Sequence, residues 1–119
     1  MKNPIDCPAE RAVYFIGGKW KIRILFGLLQ RKKMRFGEFK KVLKTITQQM
    51  LSKQLKELEG DGIVNRKVIQ IMPPKVEYSL TEFGFSVMPI LRSFSEWNKR
   101  NTRTISAKLN KNFEENRIT

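Results

Sequence analysis

Lys44-Thr-Ile-Thr-Gln-Gln-Met-Leu-Ser-Lys-Gln-Leu-Lys-Glu-Leu58 is the stretch on which the fold turns. Thr47 is a good N-cap, because its hydroxyl can accept from backbone N–H groups left unpaired at a helix start, and an apolar-periodic run follows it. A helix is predicted to begin there. At about 100° per residue, Leu51, Leu55 and Leu58 fall on one side while Gln49, Ser52, Lys53 and Lys56 gather on the nearly opposite side. One face packs in a core and the other is free to touch a partner. The free face offers amides, a hydroxyl and lysines near the helix start, the groups that reach base edges and phosphates in a DNA major groove. Taken alone, the same pattern describes the solvated face of any amphipathic helix. The neighbouring segments decide between the two.

Just upstream, Phe36, Phe39 and Leu43 recur at helical spacing, which predicts a short helix over Phe36–Leu43, and the tight connection Lys44-Thr45-Ile46 leads into the helix after Thr47. Two short helices joined this way make a helix-turn-helix, whose second helix enters the groove while the first lies across the backbone. An αα-corner in some other helical domain is the competing interpretation. The segment before it, Gln30 to Arg35, is a basic connection, and from Arg31 to Lys44 there are seven basic residues against one acid, Glu38. Downstream, Gly60-Asp61-Gly62 terminates the helix and Ile63 to Ile71 is rich in β-branched residues, as expected of a strand. Met72-Pro73-Pro74-Lys75 interrupts it, since proline has no N–H with which to continue a ladder. Val76, Tyr78 and Leu80 then alternate with Glu77 and Ser79, predicting a second strand with one buried face. A hairpin placed directly after a helix-turn-helix is a wing. Arg66, Lys67 and Lys75 give it positive charge, either for phosphates and the minor groove or simply for solubility.

Residues 1 to 7 carry Pro4 and a polar start. Pro8 suits the first turn of a helix expected to reach Ile16, with Val13 and Ile16 among its apolar positions, and Gly17-Gly18 ends it. Gly17-Gly18-Lys19 resembles a fragment of a phosphate loop, but the preceding spacing is wrong and a helix break accounts for it. A largely buried second helix is predicted from Lys19 to Leu29, carried by Trp20, Ile24, Leu25, Leu28 and Leu29. Beyond the wing, Thr81 is the expected N-cap of a long helix reaching about Asn101, bent near Pro89. Its seam is Phe83, Val87, Ile90, Phe94 and Trp97, widened by Met88 and Leu91. A small wing-and-helix core covers one side of such a stripe, so the rest is expected to pack on a second subunit, with one intrachain core as the alternative. Residues 102–119, with Ile105, Leu109 and Phe113 four apart, form either an accessory helix or a frayed tail.

With 119 residues, 40% hydrophobic and 29% charged, the composition is that of a globular chain expected to form a single domain over 1–119, its core at about 7–101. The expected fold is mainly α with a β-hairpin wing (α+β): a winged helix-turn-helix flanked by N- and C-terminal dimerisation helices. Twenty-four Lys and Arg against 11 Asp and Glu give a formal charge of +13, which implies an anionic partner, nucleic acid first. There is no apolar span of about 18 residues and no amino-terminal signal pattern, so no membrane partner and a cytoplasmic location are expected. One cysteine, Cys7, and no histidine leave no intrachain disulfide and no zinc set. With no histidine base, nucleophile elbow or carboxylate pair, neither an enzyme nor a bound cofactor is expected.

The residues resemble the HxlR-type winged helix-turn-helix family of bacterial transcription regulators. The matching pieces are Cys7-Pro8, Ile16-Gly17-Gly18-Lys19-Trp20, Arg35-Phe36-Gly37-Glu38-Phe39, Ile46-Thr47-Gln48-Gln49-Met50-Leu51, Leu55-Lys56-Glu57-Leu58-Glu59, Gly62-Ile63-Val64-Asn65-Arg66, and Val76-Glu77-Tyr78-Ser79-Leu80-Thr81 with Gly84. The resemblance implies a homodimer on a pseudo-palindromic operator of double-stranded DNA, held by the helix from Thr47 and by the wing, with repression the expected mode. The expected DNA-contacting set is Thr47, with Gln48, Gln49, Ser52 and Lys53 toward the bases, Arg35 and Lys56 toward phosphates, and Lys67 and Lys75 of the wing toward phosphates or the minor groove. Val13, Ile16, Val87, Ile90, Phe94 and Trp97 are the expected dimer residues. Thr45 departs from the glycine that members often carry at the turn, which bears on the angle of the recognition helix. Some relatives use the cysteine of the Cys-Pro pair to sense quinones, aldehydes or disulfide stress. Here that residue is Cys7, at a helix N-terminus where the dipole favours a thiolate, with Arg11 one turn on and Asp6 opposing. Either Cys7 meets a small thiol-reactive effector, or it is an inert small residue packed at the dimer interface. A non-specific nucleic-acid coat and a winged-helix protein-interaction module are the other functions compatible with the chain.

Overall fold

The computed structural model describes residues 7–118, with side chains to residue 112. Pro4 and Asp6 therefore lie outside the described residues, as does the side chain of Phe113. In chain order the elements are α1 (Pro8–Ile16), α2 (Lys19–Arg31), β1 (Lys33–Arg35), α3 (Phe36–Leu43), α4 (Gln48–Gly60), β2 (Val64–Gln70), β3 (Lys75–Leu80), α5 (Glu82–Phe85), α6 (Met88–Arg100) and α7 (Thr102–Ile118). They fall into two compact units, Met1–Met88 and Pro89–Thr119.

The first unit is built on leucine. Leu51, Leu55 and Leu58 of α4 are at most 1% exposed and meet a core that includes Ile24, Leu25 and Leu28 of α2, Phe39 and Leu43 of α3, and Ile63 and Val64 at the start of the wing. Phe39 sets its edge toward the Tyr78 ring of β3, with centroids 6.1 Å apart. Each such side chain removed from water contributes roughly 1.5–3 kcal/mol. Trp20, expected in this core, is only half-buried: Lys19 Nζ and the Arg23 guanidinium lie 4.6 and 5.1 Å from its ring centroid, so one face of the indole meets cations.

The wing is a winged helix-turn-helix sheet of three antiparallel strands, ordered β1-β3-β2. The expected two-stranded hairpin is thus completed by β1, which sits within the stretch read as a basic connection. Met34 pairs with Tyr78 and is 1% exposed, and this burial holds the short strand in place. On the other side Arg66 pairs with Tyr78 and Lys67 with Glu77.

The predicted long helix from Thr81 is two helices. Thr81 caps α5, its Oγ1 accepting from the Gly84 N–H at 2.9 Å and donating to the Gly62 carbonyl at 2.6 Å, and a turn at Ser86–Val87 separates α5 from α6, which starts at Met88. Pro89 explains the restart: it cannot sit inside a helix but fits a first turn, where its missing N–H has no partner to lose. A side chain at Gly84 would run into the Ile63 carbonyl, so only glycine lets α5 approach the root of the wing this closely. In the second unit residues 102–118 are helical, as α7.

Candidate nucleic-acid interface

The turn between α3 and α4 sets the angle at which α4 is presented. Lys44 closes it with φ 53° and ψ −65°, and the Thr45 N–H donates back to the Leu43 carbonyl. This is a γ-turn with positive φ, strained for a residue with a side chain. The strain falls on Lys44 and not on Thr45, where a glycine was the family expectation. Lys40 Nζ donates to the Ile46 carbonyl at 3.0 Å across the same turn, so this lysine of the basic stretch has a structural task. Ile46 is buried beneath it. Thr47 then caps α4, its Oγ1 accepting from the Met50 N–H at 3.0 Å. The hydroxyl proton remains able to donate outward.

Behind α4, Lys21 Nζ lies 2.7 Å from Glu57 Oε1 and ties α2 to α4. That hydrogen bond holds the Glu57 carboxyl below its ordinary range; burial opposes it, and the charges of Lys21 and Lys53 add smaller lowering effects.

In front of α4 lie two adjoining clefts. One, of about 420 Å³, runs between α4 and the wing and brings together Gln48, Ser52 and Lys56 of the helix and Arg66 of β2, with Phe36, Val76 and Tyr78 as its apolar lining. The other, of about 530 Å³, lies between the start of α3 and the wing turn and brings together Arg35, Lys41 and Lys75. Phe36 and Val76 line both, so the two form one cationic surface. The acids present are Glu59 in the first and Glu38 in the second. Glu38 Oε1 accepts from the Arg35 N–H at 2.8 Å, which occupies it in capping α3.

Gln49 and Lys53 are exposed on α4 but outside the clefts, on the stripe one residue further round the helix. Lys67 is placed differently from expectation. Strand alternation puts Arg66 on the sheet face shared with Tyr78, toward α4, and Lys67 on the opposite face, paired across the strands with Glu77. Glu77 also has Arg35 opposite it on β1 and Lys33 Nζ at 3.9 Å. Arg66 is therefore the wing cation that faces the helix. The parity was readable, because Arg66 is two residues from buried Val64. Lys41 had no comparable signal: only the fold brings it to the wing turn.

Cys7 is an exposed free thiol at the N-cap of α1, and its carbonyl accepts from the Arg11 N–H at 3.1 Å. Arg11 is exposed. Of the expected dimer residues, Ile16 and Val87 are buried, whereas Val13, Ile90, Phe94 and Trp97 are exposed. Tyr14, Phe83 and Phe85 are exposed as well, and Phe15 sets edges against both Tyr14 and Phe83.

No helix among the described residues is long and apolar enough to cross a membrane, and no cluster of three metal-ligating side chains occurs among them. A family model described as HxlR-like helix-turn-helix matches residues 15–106. The chain is similar to the HTH-type transcriptional regulator YybR of Bacillus subtilis (strain 168), at 50% identity over 99 residues, 83% of this chain and 78% of that protein. It is also similar to the solved structures of the redox regulator HypR. The reduced form gives a TM-score of 0.80 at 46% identity, covering 85% of this chain and 99% of that one. The oxidised form gives 0.73 at 49% identity, covering 80% and 97%.

Proposed function

The chain belongs to the HxlR-like helix-turn-helix family of transcription regulators, and from that premise we propose that it is a homodimeric repressor of a pseudo-palindromic operator. The observation that carries this is the cleft in which Gln48, Ser52 and Lys56 of α4 face Arg66 of the wing. Amides, hydroxyl and cations on one rigid helix suit base edges, and a cationic wall beside them suits the phosphates that flank a major groove. Gln48, Gln49, Ser52 and Lys53 read bases. Arg35, Lys41, Lys56, Arg66 and Lys75 hold phosphates and release counterions, while Lys67 contributes only at longer range. The two α4 helices of a dimer lie in successive major grooves, about one helical turn apart or a multiple of it. Gln49→Ala changes which sequence is preferred, whereas Arg35→Ala weakens every sequence alike and lowers the salt slope by about 0.9. The reverse pattern would overturn the assignment.

The likeness to HypR, described as a redox regulator in reduced and oxidised forms, supports a second part of the proposal: Cys7 is the switch. Its thiol is exposed and stands at the N-terminus of α1, within reach of an oxidant. Two Cys7 thiols of a dimer give up two protons and two electrons to an oxidant such as diamide and form an intersubunit disulfide; one Cys7 thiol and a small thiol lose the same two protons and two electrons to that oxidant to form the mixed disulfide instead. Diamide is expected to release wild-type protein from DNA and to leave Cys7→Ser bound. Release of the serine variant to the same extent would rule the switch out.

A further inference from the structure

The most exposed large apolar side chains among the described residues are Ile71 and Met72, at 81% and 83%. They stand in the turn between β2 and β3, followed by Pro73 and Pro74. From Val68 to Pro74 the chain reads Val-Ile-Gln-Ile-Met-Pro-Pro, a stretch without charge in a protein of which 29% is charged. Cations flank this stretch on the hairpin: Lys75 directly follows Pro74, and Arg66 and Lys67 lie further down β2. The tip has a defined shape: the Gln70 side-chain amide donates to the Met72 carbonyl at 3.2 Å, and Gln70 pairs with Lys75 after a register irregularity at Ile69.

Ile71 and Met72 themselves carry no charge to hold a phosphate and no N–H or O–H side-chain donor to read base edges. What Ile71 and Met72 can do is fill space from which water is excluded. Isoleucine, methionine and proline are the side chains that enter a minor groove as wedges, part a base step and kink the duplex. The charges around this tip match that occupant, because Lys75 and Pro74 line one cleft with Arg35 and Lys41, so cations suited to the groove-edge phosphates stand beside the apolar point.

We infer that Ile71 and Met72 form an apolar wedge that enters the minor groove next to the site of α4, unstacks a base step and bends the operator. This rests on the operator binding proposed above. It adds specificity at a step where no hydrogen bond is made, favouring flexible pyrimidine–purine steps over stiff ones.

The test uses the full chain and an operator duplex carrying 2-aminopurine at each flanking minor-groove position in turn, with binding followed by anisotropy and unstacking by fluorescence. Wild type is expected to raise the fluorescence at one step in each half-site. The double variant Ile71→Ser with Met72→Ser, on an exposed turn where the fold is not at stake, is expected to abolish that rise. It also weakens operator binding about 10-fold with the salt slope unchanged. Lys75→Gln does the opposite, lowering the salt slope by about 0.9 and keeping the fluorescence rise. Operator binding with no rise at any step overturns the wedge and leaves the operator proposal standing. A rise that persists in the double variant, or a double variant that binds DNA normally but changes its sedimenting mass, assigns the tip elsewhere and also overturns the wedge. A wild type with no operator preference overturns both.

Discussion

Helices α4 and α6 have the same length, 13 residues each, and both are amphipathic by sequence, yet their apolar stripes meet opposite fates. In α4, Leu51, Leu55 and Leu58 are at most 1% exposed. In α6, Ile90, Phe94 and Trp97 remain 40%, 49% and 57% exposed. The first helix is fully claimed by its own chain on one side, which frees its polar side for a ligand. The second keeps Ile90, Phe94 and Trp97 exposed among the described residues, while Leu91 on the same helix is buried, and the proposed second subunit is what that exposed apolar surface suits. Amphipathicity identifies a face that seeks cover; only packing shows whether the cover is internal.

The contrast can be broken most forcefully at Leu55. Leu55→Ala empties a fully buried site and is expected to cost about 2–5 kcal/mol in urea unfolding, enough to threaten folding altogether. Phe94→Ala with Trp97→Ala should leave the first unit folded by circular dichroism. Its effect falls on assembly: sedimentation at micromolar concentration should shift toward the 14.0 kDa monomer, with dimer dissociation rising by about 30-fold or more. A wild type that already sediments as a monomer removes the second-subunit explanation.

Smaller effects sharpen the account of α4. Glu57 is hydrogen-bonded by Lys21 and its pKa is lowered in the folded protein. Its contribution is therefore fully present above the ordinary carboxylate range and disappears as pH falls through the lowered folded value. Because solvent reaches the carboxylate, that contribution is expected to be below about 1 kcal/mol. Urea midpoints of wild type and Glu57→Gln should differ at pH 7 and converge in acid; a gap that persists in acid would point to packing instead. The smallest expected effect is at Glu59, the acid in the α4–wing cleft. Glu59→Gln is expected to tighten binding to any duplex by roughly 2-fold, less at high salt.

What could be read from sequence was what depends on near neighbours. The Thr47 cap, the leucine repeat of α4 and the bounds of α1 all rest on residues within a turn or two of one another, and all stand in the structure. Strand β1 escaped because three residues, Lys33-Met34-Arg35, hold one alternation, and only pairing with Glu77–Ser79 makes them a strand. Pro89 was legible as a disturbance but not as a helix start, since a proline at a kink and a proline in a first turn share the same local signal. Positive φ at Lys44 has no signature in the residue itself; the closing of α3 against α4 imposes it. The cleft followed only in part: its α4 side was readable from the helical wheel and the face of Arg66 from strand parity, whereas Lys41 reaches the wing turn only through the fold.

The most direct measurement is a salt titration of binding by the full chain to DNA upstream of its own gene, beside an unrelated duplex of equal length. A specific regulator is expected to bind the upstream duplex more tightly at physiological salt, while both affinities fall linearly on logarithmic axes as phosphate contacts are lost. Equal affinity for upstream and unrelated duplexes at every salt concentration would contradict a sequence-specific regulator of its own promoter.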